Sequence, residues 1–68
     1  MKYIDYLFEV VGEDSDLCGE EFFVEVVMEE DYHSTAWEIA IENFPNEELR
    51  CLGAYPPALA EAMGYDTY

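Results

Sequence analysis

Basic residues are almost missing from this sequence. The 68 residues include two of them, Lys2 and Arg50, against 17 Asp and Glu, so the formal net charge is -15. Because contacts to phosphate depend on Lys and Arg, we do not expect direct binding to nucleic acid. Binding to an anionic membrane surface is disfavoured for the same reason. The partners that remain are basic protein surfaces and cations.

The residue patterns that carry catalysis are also absent. The chain has one histidine, His33, and contains no CxxC, HExxH, G-x-S-x-G or glycine-rich phosphate loop. Cys18 lies among acidic residues and Cys51 in a predicted strand, positions that do not favour a nucleophile. We therefore expect a protein that is not an enzyme, with no catalytic residue, no metal ligand set and no cofactor.

Cysteine and long apolar runs are scarce as well. Two cysteines without a leader sequence favour free thiols in a reducing compartment, although one disulfide is conceivable. No apolar run approaches the length that spans a membrane. These features predict a cytoplasmic protein. The hydrophobic fraction of 51% and the aromatic fraction of 16% are sufficient for one folded domain, residues 1–68.

Two segments alternate between apolar and acidic residues. In the first, 3–11, Ile4 and Phe8 belong to an apolar face and Asp5 to the opposite one; the second, 21–29, repeats the pattern. Period-two alternation predicts half-buried strands. The turn-forming residues 12–20 between them predict a hairpin with a long loop, in which Gly19 supplies a positive φ.

The second half of the chain predicts helix, strand and helix. Apolar residues recur at helical spacing from Ala36 to Phe44, after a capping pattern at Thr35 in which Ser34 competes. Residues 48–55 predict a third strand, and 57–63 a short helix that ends at Gly64. The sequence thus predicts an α+β fold in ββαβα order. We expect two layers, a three-stranded antiparallel sheet with both helices on one face.

The other face of this sheet is then expected to be open and acidic. Carboxylates on alternate strand positions form a grid with spacings of about 6.6 Å and 4.8 Å, comparable to the phosphate spacing of nucleic acid. Like charges across strands reduce stability, which a basic partner would relieve. Apolar residues within this face are candidate anchors. The predicted partner-binding residues are Asp5, Glu9, Asp14, Asp16, Glu21, Glu25, Glu29, Glu38, Glu42, Phe23 and Val27, with Leu7 beside the anchors.

The loop between the first two strands partly matches a calcium-binding pattern. Asp14, Asp16, Gly19 and Glu25 stand at expected positions, but Cys18 replaces an oxygen ligand. The flanking segments are predicted strands, whereas a calcium-binding EF-hand requires helices. We interpret the segment as an acidic hairpin loop with weak affinity for divalent cations at most.

In size, charge and layout, the chain resembles the small acidic phage proteins that inhibit bacterial defence systems, including anti-CRISPR and anti-restriction DNA mimics. The resemblance implies an inhibitor that occupies the basic nucleic-acid channel of a CRISPR effector or restriction nuclease. One alternative is an accessory protein whose acidity serves solubility, acting through a dimer or other apolar interface at Leu7, Phe23 and Val27. Another is a cation-binding module.

Overall fold

The computed structural model describes residues 2–68 and has the predicted α+β fold. The elements follow the order strand, strand, helix, strand, helix. Their bounds are β1 Tyr3–Val10, β2 Glu21–Val27, α1 Tyr32–Asn43, β3 Leu49–Tyr55 and α2 Pro57–Met63. Within the described residues, no helix is long and apolar enough to cross a membrane.

β1 is the central strand of the sheet. It pairs antiparallel with β2 on one side and with β3 on the other, which gives the strand order β2-β1-β3. β2 and β3 are therefore parallel to each other, and α1 carries the chain across the sheet from one to the other. A bulge lies where β3 passes Leu7 and Phe8 of β1, next to Gly53 at φ +152°. Glycine suits this backbone conformation because it has no side chain.

The larger core lies between the sheet and α1. Phe8, Val10 and Val24 are fully buried on this face and meet Ala36 and Ala40 of α1. The Phe8 ring packs edge-on against Trp37 at 4.8 Å between centroids and lies 5.7 Å from the Phe22 ring. The predicted contact between the Trp37 helix and the apolar faces of the first two strands is confirmed.

The position of α2 corrects the expected layout. Ala60 of α2 packs with Leu7 and Phe23 in a second cluster, and Tyr55 borders it. Because successive strand residues point to opposite faces, Leu7 lies on the face opposite Phe8. The two helices thus cover opposite faces of the sheet, and β1 is buried on both sides from Asp5 to Phe8.

The start of α1 also differs from the expectation. The helix begins at Tyr32, before both predicted caps, and its N-cap residue Asp31 adopts a left-handed conformation with φ 56°. Thr35 Oγ1 donates a hydrogen bond to the Asp31 carbonyl, 3.3 Å away, from inside the helix. β2 ends at Val27, so Met28 and Glu29 lie beyond the sheet, in contrast to the predicted strand 21–29.

The C-terminal residues close the outer edge of β2. The Phe23 and Glu25 amides donate to the carbonyls of Asp66 and Tyr68, at 2.8 Å and 3.0 Å. The Tyr68 ring packs edge-on against Phe22, with 5.5 Å between centroids. The Tyr65 ring also lies on the sheet, 5.9 Å from the Phe23 ring between centroids.

Candidate acidic interface

Two carboxylates meet on the sheet face that α2 covers. Asp5 of β1 and Glu25 of β2 are direct partners in the strand register. The backbone hydrogen bonds of the hairpin fall on its even-numbered residues, since the Val10 amide donates to the Glu20 carbonyl at 2.9 Å. Asp5 and Glu25 thus form a non-hydrogen-bonded pair, in which opposing side chains are closest.

Asp5 is the buried member of this pair. Its relative exposure is 2%, and its Oδ1 atom has no hydrogen-bond partner. Burial is the main cause that raises the pKa of Asp5 to about 6, followed by the charge of Glu25 and a hydrogen bond with Glu25. A proton on Asp5 relieves both desolvation and repulsion. At neutral pH this carboxyl therefore lies close to its titration range.

A second carboxylate pair lies at the other end of the same face. Glu9 is the register partner of Glu21 in β2 and of Arg50 in β3. The Arg50 guanidinium donates a hydrogen bond to Glu9, with 2.6 Å between Nη2 and Oε1. One of the two basic side chains of the protein thus neutralises Glu9 from the β3 side, at a position that is largely exposed to solvent.

The expected open acidic face is therefore covered at its centre. Asp5, predicted as a partner-binding residue, is buried, and the predicted anchor Phe23 has 0% exposure. Leu7, its neighbour across the strands, is also buried under α2. The reason is that two large apolar side chains in direct opposition need cover, and α2 provides it. An apolar interface built on these residues is not available, and Val27 alone of the three is half-exposed.

Exposed carboxylates surround this covered centre. Among the predicted site residues, Glu9 and Glu21 are half-buried, while the other acids apart from Asp5 are exposed. Thirteen of the 17 acidic residues are exposed, and they lie in the hairpin loop, in and after β2, on α1, before β3, on α2 and near the C-terminus. The exposed acids are Glu13, Asp14, Asp16, Glu20, Glu25, Glu29, Glu30, Asp31, Glu38, Glu42, Glu48, Glu61 and Asp66.

Two loops at one end of the sheet form an acidic groove. It has a volume of about 330 Å³ and lies between the β1–β2 loop and the segment before β3. Glu13 and Asp14 line one side, and Glu47 and Glu48 the other. The predicted interface did not include Glu47 and Glu48, although they form an adjacent acidic pair before the third strand.

A second groove lies at the opposite end, between the end of β2 and the start of α1. It has a volume of about 280 Å³, and its residues are both apolar and acidic. The predicted interface included Glu25, Val27 and Glu29 but not Glu30 or Tyr32. The run of three acids Glu29-Glu30-Asp31 in the sequence could have indicated that Glu30 belongs to the acidic surface. The lining residues are Glu25, Val26, Val27, Glu29, Glu30, Tyr32, Thr35 and Ile39.

The loop 12–20 has the geometry of a hairpin connection. Gly19 has φ +93°, as expected, and the Ser15 hydroxyl accepts a hydrogen bond from the Leu17 amide at 3.0 Å. Within residues 2–68, no group of three or more His, Cys, Asp or Glu side chains could hold a metal ion. Cys18 and Cys51 are free thiols, the first exposed and the second half-buried.

Comparisons with protein-family models, curated proteins and solved structures found no match to this chain.

Proposed function

We propose that this protein is a non-enzymatic inhibitor that occupies the basic nucleic-acid-binding channel of another protein. Its exposed carboxylates take the place of phosphates there. The specific form of the proposal is a channel in a host defence complex, either a CRISPR effector or a restriction nuclease. This form follows from the resemblance to small acidic phage inhibitors in size, charge and layout.

The density of charge along the molecule carries the proposal. The principal-axis extents of the fold are 39 × 25 × 15 Å, and the net charge is -15. This corresponds to one net charge per about 2.6 Å of length, between the values for a nucleic-acid single strand, about 3.4 Å, and a duplex, about 1.7 Å. A channel that attracts a phosphate backbone would attract this surface by the same electrostatic force.

The proposed interface now differs from an open sheet face. Its acids lie in the hairpin loop around Asp14 and Asp16, in the segment after β2 around Glu29, and on α1 at Glu38 and Glu42. Such a distribution suits a channel that encloses its ligand, because acids on several sides of the molecule can meet basic residues at once. Asp5 and Phe23 are buried beneath this surface and are not part of it.

Competition with DNA tests the proposal directly. A catalytically inactive effector nuclease is loaded with a fluorescent duplex, and displacement by the protein is measured by anisotropy at rising salt. We expect displacement to weaken steeply with salt, because a charge-driven complex depends on counterion release. Replacing Asp14, Asp16, Glu38 and Glu42 by their amides should weaken displacement at least about ten-fold at low salt.

A charge-conserving variant provides the matched control. Glu38→Asp with Glu42→Asp keeps the net charge and should displace DNA as the unmodified protein does. Displacement that is independent of salt and of the amide substitutions would contradict charge mimicry. A restriction nuclease tested in parallel distinguishes between the two classes of host complex.

A further inference from the structure

The groove after β2 combines an apolar floor with an acidic rim. Val26 is buried, and Val27, Tyr32 and Ile39 are half-buried, so aliphatic and aromatic surface is present within the groove. The exposed acids Glu25, Glu29 and Glu30 also line it. A ligand for this groove therefore needs an apolar stem and a positive head.

The size of the groove restricts the ligand further. Its volume of about 280 Å³ lies just below the range of small-molecule pockets, about 300–1,000 Å³. A single long side chain fills such a space better than a cofactor or a drug-sized molecule. A bare metal ion would leave the apolar floor uncovered.

Arginine satisfies these requirements better than lysine. Its methylene groups can cover the aliphatic floor while its charged group stays at the rim. The planar guanidinium can stack on an aromatic ring and binds carboxylates in a two-pronged geometry, and it is less strongly hydrated than an ammonium group. Tyr32 lines the groove and can supply the ring, and Glu29 and Glu30 the carboxylates.

We propose that the groove between the end of β2 and the start of α1 is a socket for one arginine side chain of the partner. This inference rests on the proposed function, because it assumes a basic protein partner. An arginine held in this groove would fix the position of the partner, whereas the remaining contact is spread over many charges. Buried arginines are frequent anchors at protein interfaces. A diffuse acidic surface alone would not require such an anchor.

A titration with small peptides tests the socket in the full chain. The probe is acetyl-Gly-Arg-Gly-amide, added to ¹⁵N-labelled protein and followed by NMR chemical shifts. Two matched probes carry lysine or citrulline, the second being a neutral analogue with nearly the shape of arginine. We expect saturable shifts concentrated in residues 25–39, weaker binding of the lysine peptide, and no binding of the citrulline peptide.

Two double variants of equal charge locate the site. Glu29→Gln with Glu30→Gln should weaken binding of the arginine peptide about five-fold, since two rim charges are lost. Glu61→Gln with Asp66→Asn removes two exposed charges that lie outside the groove lining and outside the proposed interface, and should change binding less than about two-fold. The socket would be overturned if both variants lost the same affinity for the arginine peptide. It would also be overturned if the chemical shift changes were as large in the loop 12–20 as in residues 25–39.

The two proposals can fail separately. If the arginine peptide binds in the groove but the protein displaces no DNA from any nuclease, the socket stands and the proposed inhibition falls. If DNA is displaced while the arginine and lysine peptides bind alike and without a defined location, the inhibition stands and the socket falls.

Discussion

Asp5 and Glu25 lie directly opposite each other on neighbouring strands, and only Asp5 is buried. Since the pair is not hydrogen-bonded through the backbone, its side chains are held at short range. Two charges in this position would repel each other at low dielectric. The fold therefore favours a proton on Asp5, and its stability should depend on pH through this residue.

We predict that Asp5→Asn stabilises the protein at neutral pH. The pKa of Asp5 is raised from 3.8 to about 6, so the folded protein binds more protons than the unfolded chain between these values. The contribution of Asp5 protonation to the free energy of unfolding is fully present below pH 3.8. It is lost as the pH rises through about 6. The loss at pH 7.5 corresponds to roughly 3 kcal/mol, which an amide would avoid. Urea unfolding at pH 5 and pH 7.5 measures the difference.

Glu25→Gln serves as the control for this prediction. It removes the neighbouring charge but leaves Asp5 buried, so it should reduce the pH dependence without abolishing it, because burial is the larger cause. An Asp5→Asn variant that loses stability at pH 7.5, or that keeps the full pH dependence, would contradict the assignment.

A second prediction concerns the ion pair between Arg50 and Glu9. The Arg50 side chain is 63% exposed, so the attraction is largely screened by solvent. Arg50→Gln should lower the free energy of unfolding by at most about 1 kcal/mol. Thermal unfolding in low and high salt checks this, because an electrostatic loss shrinks as salt rises. Lys2→Gln is the control, and a salt-independent loss at Arg50 would instead indicate packing of its methylene groups.

The position of α2 gives a third prediction. Ala60 has 1% exposure against Leu7 and Phe23, so Ala60→Val should destabilise the protein by about 1–3 kcal/mol through overpacking. Ala58→Val in the same helix is the control, because it has the same cost in helix propensity but Ala58 is exposed and cannot be overpacked. Chemical unfolding measures the free energy of unfolding of both variants. Equal stabilities would show that α2 does not pack on this face in solution.

The fold class and the order of strands and helices along the chain were predictable, because each element has a local sequence signal. Alternation in the two acidic segments set the hairpin, and Pro57 and Gly64 marked the limits of α2. The side of the sheet that α2 covers was not predictable from its own short sequence. The signal lay elsewhere, in the apolar pair Leu7 and Phe23 within an otherwise acidic face.

The candidate site was predictable as a set of acids but not as a geometry. Alternation placed Asp5 with the exposed acids, and α2 buried it. Glu30 and Tyr32 were missed because the strand was predicted to continue to 29 and the helix to begin near Thr35. Asp31 adopts a left-handed conformation, which is uncommon for a residue with a side chain, and α1 begins at the next residue, Tyr32.

The C-terminal segment gives the last prediction, which concerns hydrogen exchange at β2. The Phe23 and Glu25 amides donate to Asp66 and Tyr68, whereas the register directs the Val24 amide toward β1. Tyr68→Ser removes ring contacts with Phe22 and Phe44, at 5.5 Å each, and should loosen the segment. Exchange at Phe23 and Glu25 should then accelerate about ten-fold relative to Val24. An equal acceleration at all three amides would mean global destabilisation, and unchanged exchange would mean that Tyr68 does not hold the edge.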